Sequence, residues 1–184
     1  MRITRIYIRP MRIVWAASAL FVVAAVPSLP GGEAKAAVLG GPLLRDGMEI
    51  VPSAVNGVEL DRPALAKSLG GQSILLVADV RATRDGAHGF AGFIPYLSIS
   101  YVLTKEDAPT FKKAGLLYPV AAKDGPHYAA PAEFAGAGVY HLTYIISPPS
   151  SHGMMRRTDR ENGVPEWWKP ITANWTFTYP MSAK

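Results

Sequence analysis

The sequence predicts an all-β protein with an immunoglobulin-like β-sandwich fold. Two segments, residues 96–103 and 172–179, alternate between apolar and polar side chains, which is the pattern of a strand with one buried face. Other short apolar segments are separated by connections rich in Gly, Pro and charged residues. Only residues 63–69 resemble a helix, and that stretch is too short to change the fold class. Six or seven short strands joined in this way are typical of a β-sandwich.

The remaining strands are predicted from apolar runs. Residues 48–55 form the first, and the Asn56-Gly57 pair that follows is a strong hairpin signal. Residues 73–81 and 116–121 are more continuously apolar, as expected for central strands. Residues 139–146 are rich in Tyr, Ile and Val and complete the set.

Three longer connections, 83–93, 104–115 and 147–170, are predicted to be loops. The last exceeds twenty residues, and loops of that length in a compact domain are usually functional or contain structure of their own. Trp167-Trp168 stands near its end. We expect one of these rings to cover the core, whereas an exposed ring would be a candidate interface contact.

The first 36 residues are predicted to be a cleaved export signal. The start of the chain carries four arginines: Arg2, Arg5, Arg9 and Arg12. The apolar run that follows, residues 13–26, has fourteen residues, whereas a membrane-spanning helix needs about 20. Ala34-Lys35-Ala36 then forms a small-x-small cleavage pattern. Cleavage after Ala36 would leave a single domain, residues 37–184, which is large enough to be stable without disulfides.

The excess positive charge of the chain belongs largely to this signal. Residues 1–36 hold five of the 19 Lys and Arg residues and one of the 14 Asp and Glu residues. The remaining domain therefore holds 14 basic and 13 acidic residues, and its net charge is +1 instead of +5. Nucleic-acid binding requires a strongly basic surface, so no nucleic-acid partner is expected.

The chain has no cysteine, so disulfides and thiolate ligands are excluded. Any metal site must use His, Met, Asp or Glu. The sequence also has no nucleophile elbow, no phosphate-binding loop and no His-Glu-x-x-His motif. We therefore expect a protein without enzymatic activity.

The densest cluster of chemically useful residues is Asp124-Gly125-Pro126-His127-Tyr128. The Gly-Pro pair predicts a tight bend, because Gly accepts unusual dihedral angles and Pro fixes φ. Asp124 and His127 would then face one small target, as metal ligands or an acid/base pair do. A structural alternative is that Asp124 caps the turn and His127 hydrogen-bonds the next strand. Taken alone, the segment favours this alternative.

A second candidate lies in the long loop at His152-Gly153-Met154-Met155. An imidazole with two thioethers suits a soft ion such as Cu(I). Consecutive residues rarely point at one ion, so the favoured interpretation is that Met154 and Met155 pack beneath the loop.

Several segments occur together in the order and spacing of one protein family. They are Gly47-Met48-Glu49-Ile50, Ala78-Asp79, Pro95-Tyr96-Leu97, the Asp-Gly-Pro-His-Tyr segment, Tyr140-x-Leu142-Thr143, and Gly163-Val164 leading to Trp167 and Pro170. On these segments the chain resembles the bacterial periplasmic iron-transport protein family, the soluble copper- and iron-binding accessories of a high-affinity inner-membrane iron permease. The likeness spans roughly residues 40–180.

The resemblance implies a periplasmic homodimer that binds copper, with iron as the proposed cargo, at or near the dimer interface. The implied ligands are a strand carboxylate, a methionine, the His of the Asp-Gly-Pro-His-Tyr turn and a loop His. His127 matches the turn His, and Asp124 matches an acidic residue that assists the site. The other three positions fall on Val77, Val120 and Arg157, so the implied metal site is partly degenerate.

Two functions follow from this comparison. In the first, the protein binds copper or iron weakly at His127 and Asp124, with further donors from residues 152–155 after loop rearrangement. In the second, the protein is a metal-independent interaction module that kept the sandwich and the dimer but reused the site. The second hypothesis predicts an ion pair between Arg157 and Asp124.

Overall fold

The computed structural model describes residues 36–61, 74–84 and 88–180, which lie within one compact unit. These residues form nine strands and one short 3-10 helix: β1 (Ala36–Val38), β2 (Leu43–Arg45), β3 (Met48–Asn56), β4 (Ile74–Ala82), β5 (Ser98–Lys105), β6 (Ala108–Ala122), β7 (Gly125–Pro131), β8 (Gly138–Ser147), the 3-10 helix (Pro149–His152) and β9 (Ile171–Tyr179). The predicted all-β class is confirmed. Within these ranges, no helix is long and apolar enough to cross a membrane.

Two predictions fall outside the described residues. They are the short helix at 63–69 and the export signal, of which only Ala36 is described. Ala36 is the first residue of β1 and pairs with Val55 of β3.

The strands form two antiparallel sheets that share one long strand. In the first sheet, β1 and β2 both pair with β3, followed by β4, β7 and the second part of β6. In the second sheet, the first part of β6 pairs with β5, followed by β8 and β9. Strand β6 changes sheet between Leu117, which pairs with β5, and Tyr118, which pairs with β7.

The hydrophobic core lies between the two sheets. Alternate residues of β4 and β8 contribute fully buried side chains, among them Leu76, Val80, Leu142 and Ile146. The buried Tyr144 hydroxyl donates a hydrogen bond of 3.2 Å to the carbonyl oxygen of Val77 and so joins the sheets across the core. Burial raises the pKa of Tyr144, so the hydroxyl remains a donor. A second, smaller apolar cluster (Leu75, Val77 and Ala129) is buried on the outer face of the first sheet.

All six predicted strands are confirmed, and β3 pairs antiparallel with the next strand, β4, but the two-residue turn predicted at Asn56-Gly57 is wrong. Gly57 has a φ of 72° and does end β3 in a turn. However, the partner strand, β4, begins only at Ile74. The two strands pair from Met48 and Ala82 to Asn56 and Ile74, so their connection runs from residue 57 to residue 73.

The loop predicted at 104–115 is also wrong. Residues 108–115 belong to β6, and Lys105 of β5 pairs with Ala108 across a tight turn. The polar residues that suggested a loop lie on the exposed side of a fifteen-residue strand. The secondary structure of residues 108–115 is therefore determined by pairing with β5 and not by the composition of the segment.

The long connection between β8 and β9 contains structure of its own. After the 3-10 helix, Gly163 and Val164 donate backbone hydrogen bonds to Asp159 (2.8 Å) and Arg157 (3.0 Å). At its end, Trp168 is buried against the core and Trp167 is half-buried. One tryptophan therefore covers the core, as predicted.

Candidate metal centre

His127 lies on a strand beside a hairpin turn. The turn residues are Lys123 and Asp124, and Gly125, with a φ of 123°, begins β7. The bend thus lies two residues before the predicted Gly125-Pro126 pair, because both of these residues already pair within the sheet. Tyr128 points into the core, so its neighbour His127 points to the outer face of the first sheet.

The imidazole of His127 is held by the carboxylate of Asp124. Nε2 of His127 lies 3.1 Å from Oδ1 of Asp124, and the His127 side chain is only 16 % exposed. The hydrogen bond from His127 lowers the pKa of the Asp124 carboxyl below its usual value. In a neutral imidazole, donation from Nε2 leaves the lone pair on Nδ1.

A second carboxylate faces the other nitrogen of the ring. Ala78 of β4 pairs with Tyr128, so the next residues, Asp79 and His127, are also neighbours across the strands. Oδ1 of Asp79 lies 3.7 Å from Nδ1 of His127. Both atoms are buried, and neither has a hydrogen-bond partner among the residues that the structure describes.

In the neutral tautomer that donates from Nε2, Nδ1 is an acceptor, and it then faces the acceptor Oδ1 of Asp79 without a hydrogen between them. Buried polar atoms in folded proteins are normally paired. The Arg81 guanidinium already balances the charge of the Asp79 oxygen, and a cation or a proton between the two atoms would give Nδ1 of His127 a partner as well. Metal–nitrogen and metal–oxygen bonds in protein sites are each about 2.0–2.2 Å. One ion can therefore reach both atoms across the 3.7 Å gap. The residues present thus fit a transition-metal ion through one nitrogen and one oxygen.

The guanidinium of Arg81 lies beside the same carboxylate. Its Nε is 2.9 Å from Oδ1 of Asp79, but the contact lacks the geometry of a hydrogen bond. We interpret it as an ion pair that leaves the hydrogen-bonding capacity of that oxygen unused. The Asp79 carboxylate is thus shared between a fixed cation and the open gap beside His127.

The other neighbours of His127 on this face are apolar. Val120 of β6 pairs directly with His127, and Val77 lies two residues before Asp79 on the same face of β4. Val120 packs against a small cluster that contains Val77 and Ala129. Two positions that the family resemblance associated with ligands therefore adjoin the site and carry no donor atom.

The loop residues of the second candidate lie on exposed structure. His152 ends the 3-10 helix and is exposed, Met154 is half-buried, and Met155 is 91 % exposed. In the described ranges they form no hydrogen bond or ion pair with the hairpin, and no three His, Asp or Glu side chains converge on a common metal position. Their role as ligands stays a prediction.

The predicted ion pair between Arg157 and Asp124 is wrong. Nε of Arg157 lies 2.8 Å from Oδ2 of Asp159, within its own loop. Asp124 contacts His127 instead. The local partner two residues away is favoured because it closes a short loop at little entropic cost.

Sequence reasoning missed Asp79 and Arg81 as members of the site. The available signal was a pair of opposite charges in the otherwise apolar segment Leu75–Val80 and just after it. A charged residue in a central strand is unusual unless it is paired. The register between β4 and β7 was needed to place Asp79 against His127.

Comparison with known proteins identifies relatives over nearly the whole chain. Residues 33–180 match the family model for Fe2+ transport protein. A UPF0423 protein of Brucella abortus (strain 2308) is 34 % identical over 179 residues, which cover 95 % of this chain and 98 % of the relative.

Two groups of solved structures share the fold. FetP of uropathogenic Escherichia coli strain F11, expressed in the periplasm of E. coli, is 38 % identical with a TM-score of 0.71 and covers 79 % of this chain and 96 % of its own. The copper-reconstituted P19 protein of Campylobacter jejuni is 33 % identical with a TM-score of 0.73 and covers 82 % and 99 %. The similarity therefore extends over nearly the full length of both solved proteins.

Proposed function

The chain belongs to the Fe2+ transport protein family, and on that premise we propose that it is a periplasmic accessory of iron uptake that binds a copper or iron ion. It carries the ion rather than transforming a substrate. The copper-reconstituted P19 structure supports copper as one such ion. The family description supports iron as the cargo.

The observation that carries this proposal is a pair of buried atoms, Oδ1 of Asp79 and Nδ1 of His127, that have no hydrogen-bond partner among the described residues. Their separation of 3.7 Å suits a bound cation. Asp124 supports the site from the opposite side of the ring, because its hydrogen bond to Nε2 sets the orientation of the imidazole. Asp79 and His127 would thus hold the ion, and Asp124 would orient the histidine.

The site is proposed to be partly degenerate and its metal affinity modest. One nitrogen and one carboxylate are few protein ligands for a transition-metal ion. Val77 and Val120 add none, although Val120 pairs with His127 and Val77 lies on the same face of β4 as Asp79. Residues 152–155 remain candidates for additional donors if the loop rearranges on metal binding.

Export and assembly are parts of the same proposal. Residues 1–36 have the charge and hydropathy pattern of a cleaved signal, which suits a periplasmic location for residues 37–184. The family resemblance supports a homodimer and an inner-membrane iron permease as the membrane partner.

Equilibrium dialysis of the purified mature protein against Cu(II) and Fe(II) tests the proposal. We expect one ion per chain for the wild type and loss of binding in His127→Ala. His141→Ala is the matched control, because His141 hydrogen-bonds Thr176 on the other sheet. His152→Ala measures the contribution of the long loop.

Two outcomes would contradict the proposal. No binding by the wild type, or unchanged binding in His127→Ala, would favour the metal-independent interaction module. That alternative has lost its predicted Arg157–Asp124 ion pair.

A further inference from the structure

Arg81 places a fixed positive charge at the edge of the candidate metal centre. Besides its contact of 2.9 Å with Asp79, its terminal nitrogens extend over the hairpin at Gly125. They lie 3.6 Å (Nη2) and 3.9 Å (Nη1) from the point where a Cβ on Gly125 would stand. The guanidinium therefore spans from the carboxylate that faces His127 to the turn that carries Asp124.

The guanidinium of Arg81 places a positive charge beside the Asp79 carboxylate but does not fix the orientation of that carboxylate. Oδ1 of Asp79 is close to Nε but accepts no hydrogen bond from it. A guanidinium that served to aim the carboxylate would donate one or two well-aligned bonds. In the described residues, Arg81 makes no side-chain hydrogen bond that would fix its planar group. Its main effect on an ion beside Oδ1 is therefore electrostatic repulsion.

We propose that Arg81 sets the charge selectivity of this site and favours ions of low charge, such as Cu(I), over ions of higher charge. This inference rests on the proposed function. The energy between two charges is proportional to their product. A single positive side chain therefore disfavours a divalent ion twice as strongly as a monovalent ion at the same position. A trivalent ion is disfavoured three times as strongly.

The effect is moderated by solvent, because the Arg81 side chain is 36 % exposed. Allowing for this screening, we expect Arg81→Gln to raise the affinity for Cu(II) about tenfold and that for Cu(I) about threefold. The ratio of the two changes is about three, which corresponds to a fall of about 30 mV in the Cu(II)/Cu(I) potential, since tenfold is 59 mV for one electron.

The test compares Cu(II) and Cu(I) affinities of the wild type and Arg81→Gln by competition with chelators of known affinity. Cu(I) is measured without oxygen, and the potential of bound copper is measured separately by spectroelectrochemistry. Arg81→Lys keeps the charge, and we expect affinities within about twofold of the wild type, since the Coulomb energy depends on charge more than on shape. Arg45→Gln is the matched control, because Arg45 is an exposed arginine of the same sheet whose ion pair is with Asp46.

Each outcome bears on one proposal. Equal changes in Cu(I) and Cu(II) affinity, a loss of affinity in Arg81→Gln, or the same change in Arg81→Lys would overturn the charge-selectivity inference while leaving metal binding in place. If neither the wild type nor Arg81→Gln binds copper, the proposed function fails, and this inference with it. Binding that appears only in Arg81→Gln would contradict the proposed function and overturn the inference, since a wild type that binds no ion selects none.

Discussion

Asp79 acquires its position from the simple alternation of a strand. Its neighbours Ala78 and Val80 are fully buried in the core, so Asp79 points to the opposite, outer face of the sheet. There it meets His127 from the adjacent strand and Arg81 from its own. The Asp79 carboxylate thus lies between the two groups that define the site, Nδ1 of His127 and the guanidinium of Arg81.

Substitution of Asp79 by Asn is expected to weaken Cu(II) binding at least tenfold, or about 1.4 kcal/mol. The amide keeps the shape of the side chain but removes the negative charge that faces Nδ1 of His127. Equilibrium dialysis measures the change, and circular dichroism checks that the fold is kept. Asp107→Asn, which removes an exposed carboxylate at the turn between β5 and β6, should leave the affinity unchanged. An Asp79→Asn variant with wild-type affinity would exclude this carboxylate as a ligand.

At the scale of elements, β7 serves the core and the site with alternate residues. His127 faces outward, whereas the hydroxyl of the next residue, Tyr128, is buried in the core. This hydroxyl accepts a hydrogen bond from the backbone of Leu97 (3.0 Å) and donates one to the carbonyl of Ile94 (2.9 Å). The segment before β5 is thereby fixed to the strand that carries the site.

Tyr128→Phe is expected to lower the free energy of unfolding by about 1–3 kcal/mol, because it leaves a buried amide and a buried carbonyl without a partner. Urea denaturation followed by fluorescence measures this change. Tyr118→Phe is the control, since Tyr118 is 41 % exposed on the neighbouring strand, and its effect should stay within about 0.5 kcal/mol. A Tyr128→Phe variant as stable as the control would show that these two bonds add nothing to the fold.

The long loop is stabilised by Asp159, whose carboxylate is expected to make it sensitive to acid. Hydrogen bonds from Arg157 and the backbone of Asn162 lower the pKa of Asp159 below its usual value of 3.8. The stabilisation is therefore present above that value and is lost as the pH falls through the lowered pKa.

NMR measures this loss of stabilisation. The amide exchange and chemical shifts of Asn162 and Gly163 are followed as the pH is lowered from neutral to below 3.8. Asp159→Asn should remove the titration and raise the exchange rates already at neutral pH. Unchanged exchange in the variant would indicate that the loop is held by its backbone hydrogen bonds alone.

For the whole molecule, the last strand is fastened to the first residues of the described chain. The indole nitrogen of Trp175 on β9 donates a hydrogen bond of 2.9 Å to the carbonyl of Gly41. Its ring also lies against Gly40, where a Cβ would overlap it. Strand β9 and the β1–β3 side are opposite ends of the strand order, so this contact closes one edge of the sandwich.

Trp175→Phe is expected to lower the free energy of unfolding by about 1 kcal/mol, which corresponds to a fall of about 2–4 °C in Tm for a domain of this size. Gly40→Ala should destabilise through the same contact, because the ring must move to admit the methyl group. Calorimetry measures both, and Tyr96→Phe, at a side chain that is 59 % exposed, is the control. If both variants keep the wild-type Tm, the contact of Trp175 with Gly40 and Gly41 does not contribute to the stability of the fold.

The sequence by itself determined the fold class and most of the strands of this protein. Alternating and continuous apolar residues predict a strand that buries one or both of its faces. The strands β5, β8 and β9 could therefore be predicted. His127 and Asp124 could be found as well, because their relation is local: they lie three residues apart beside one turn. The resemblance of the motifs to one family likewise pointed to metal binding.

Only the tertiary structure decided what His127 meets. Asp79 lies 48 positions earlier in the chain and contacts it through the register of β4 and β7, which depends on pairing between distant segments. The same applies to Arg81, and to Arg157, whose partner is Asp159 rather than Asp124. The composition of a segment predicts whether that segment is buried. A site formed by residues of two strands depends also on which strands pair and in which register.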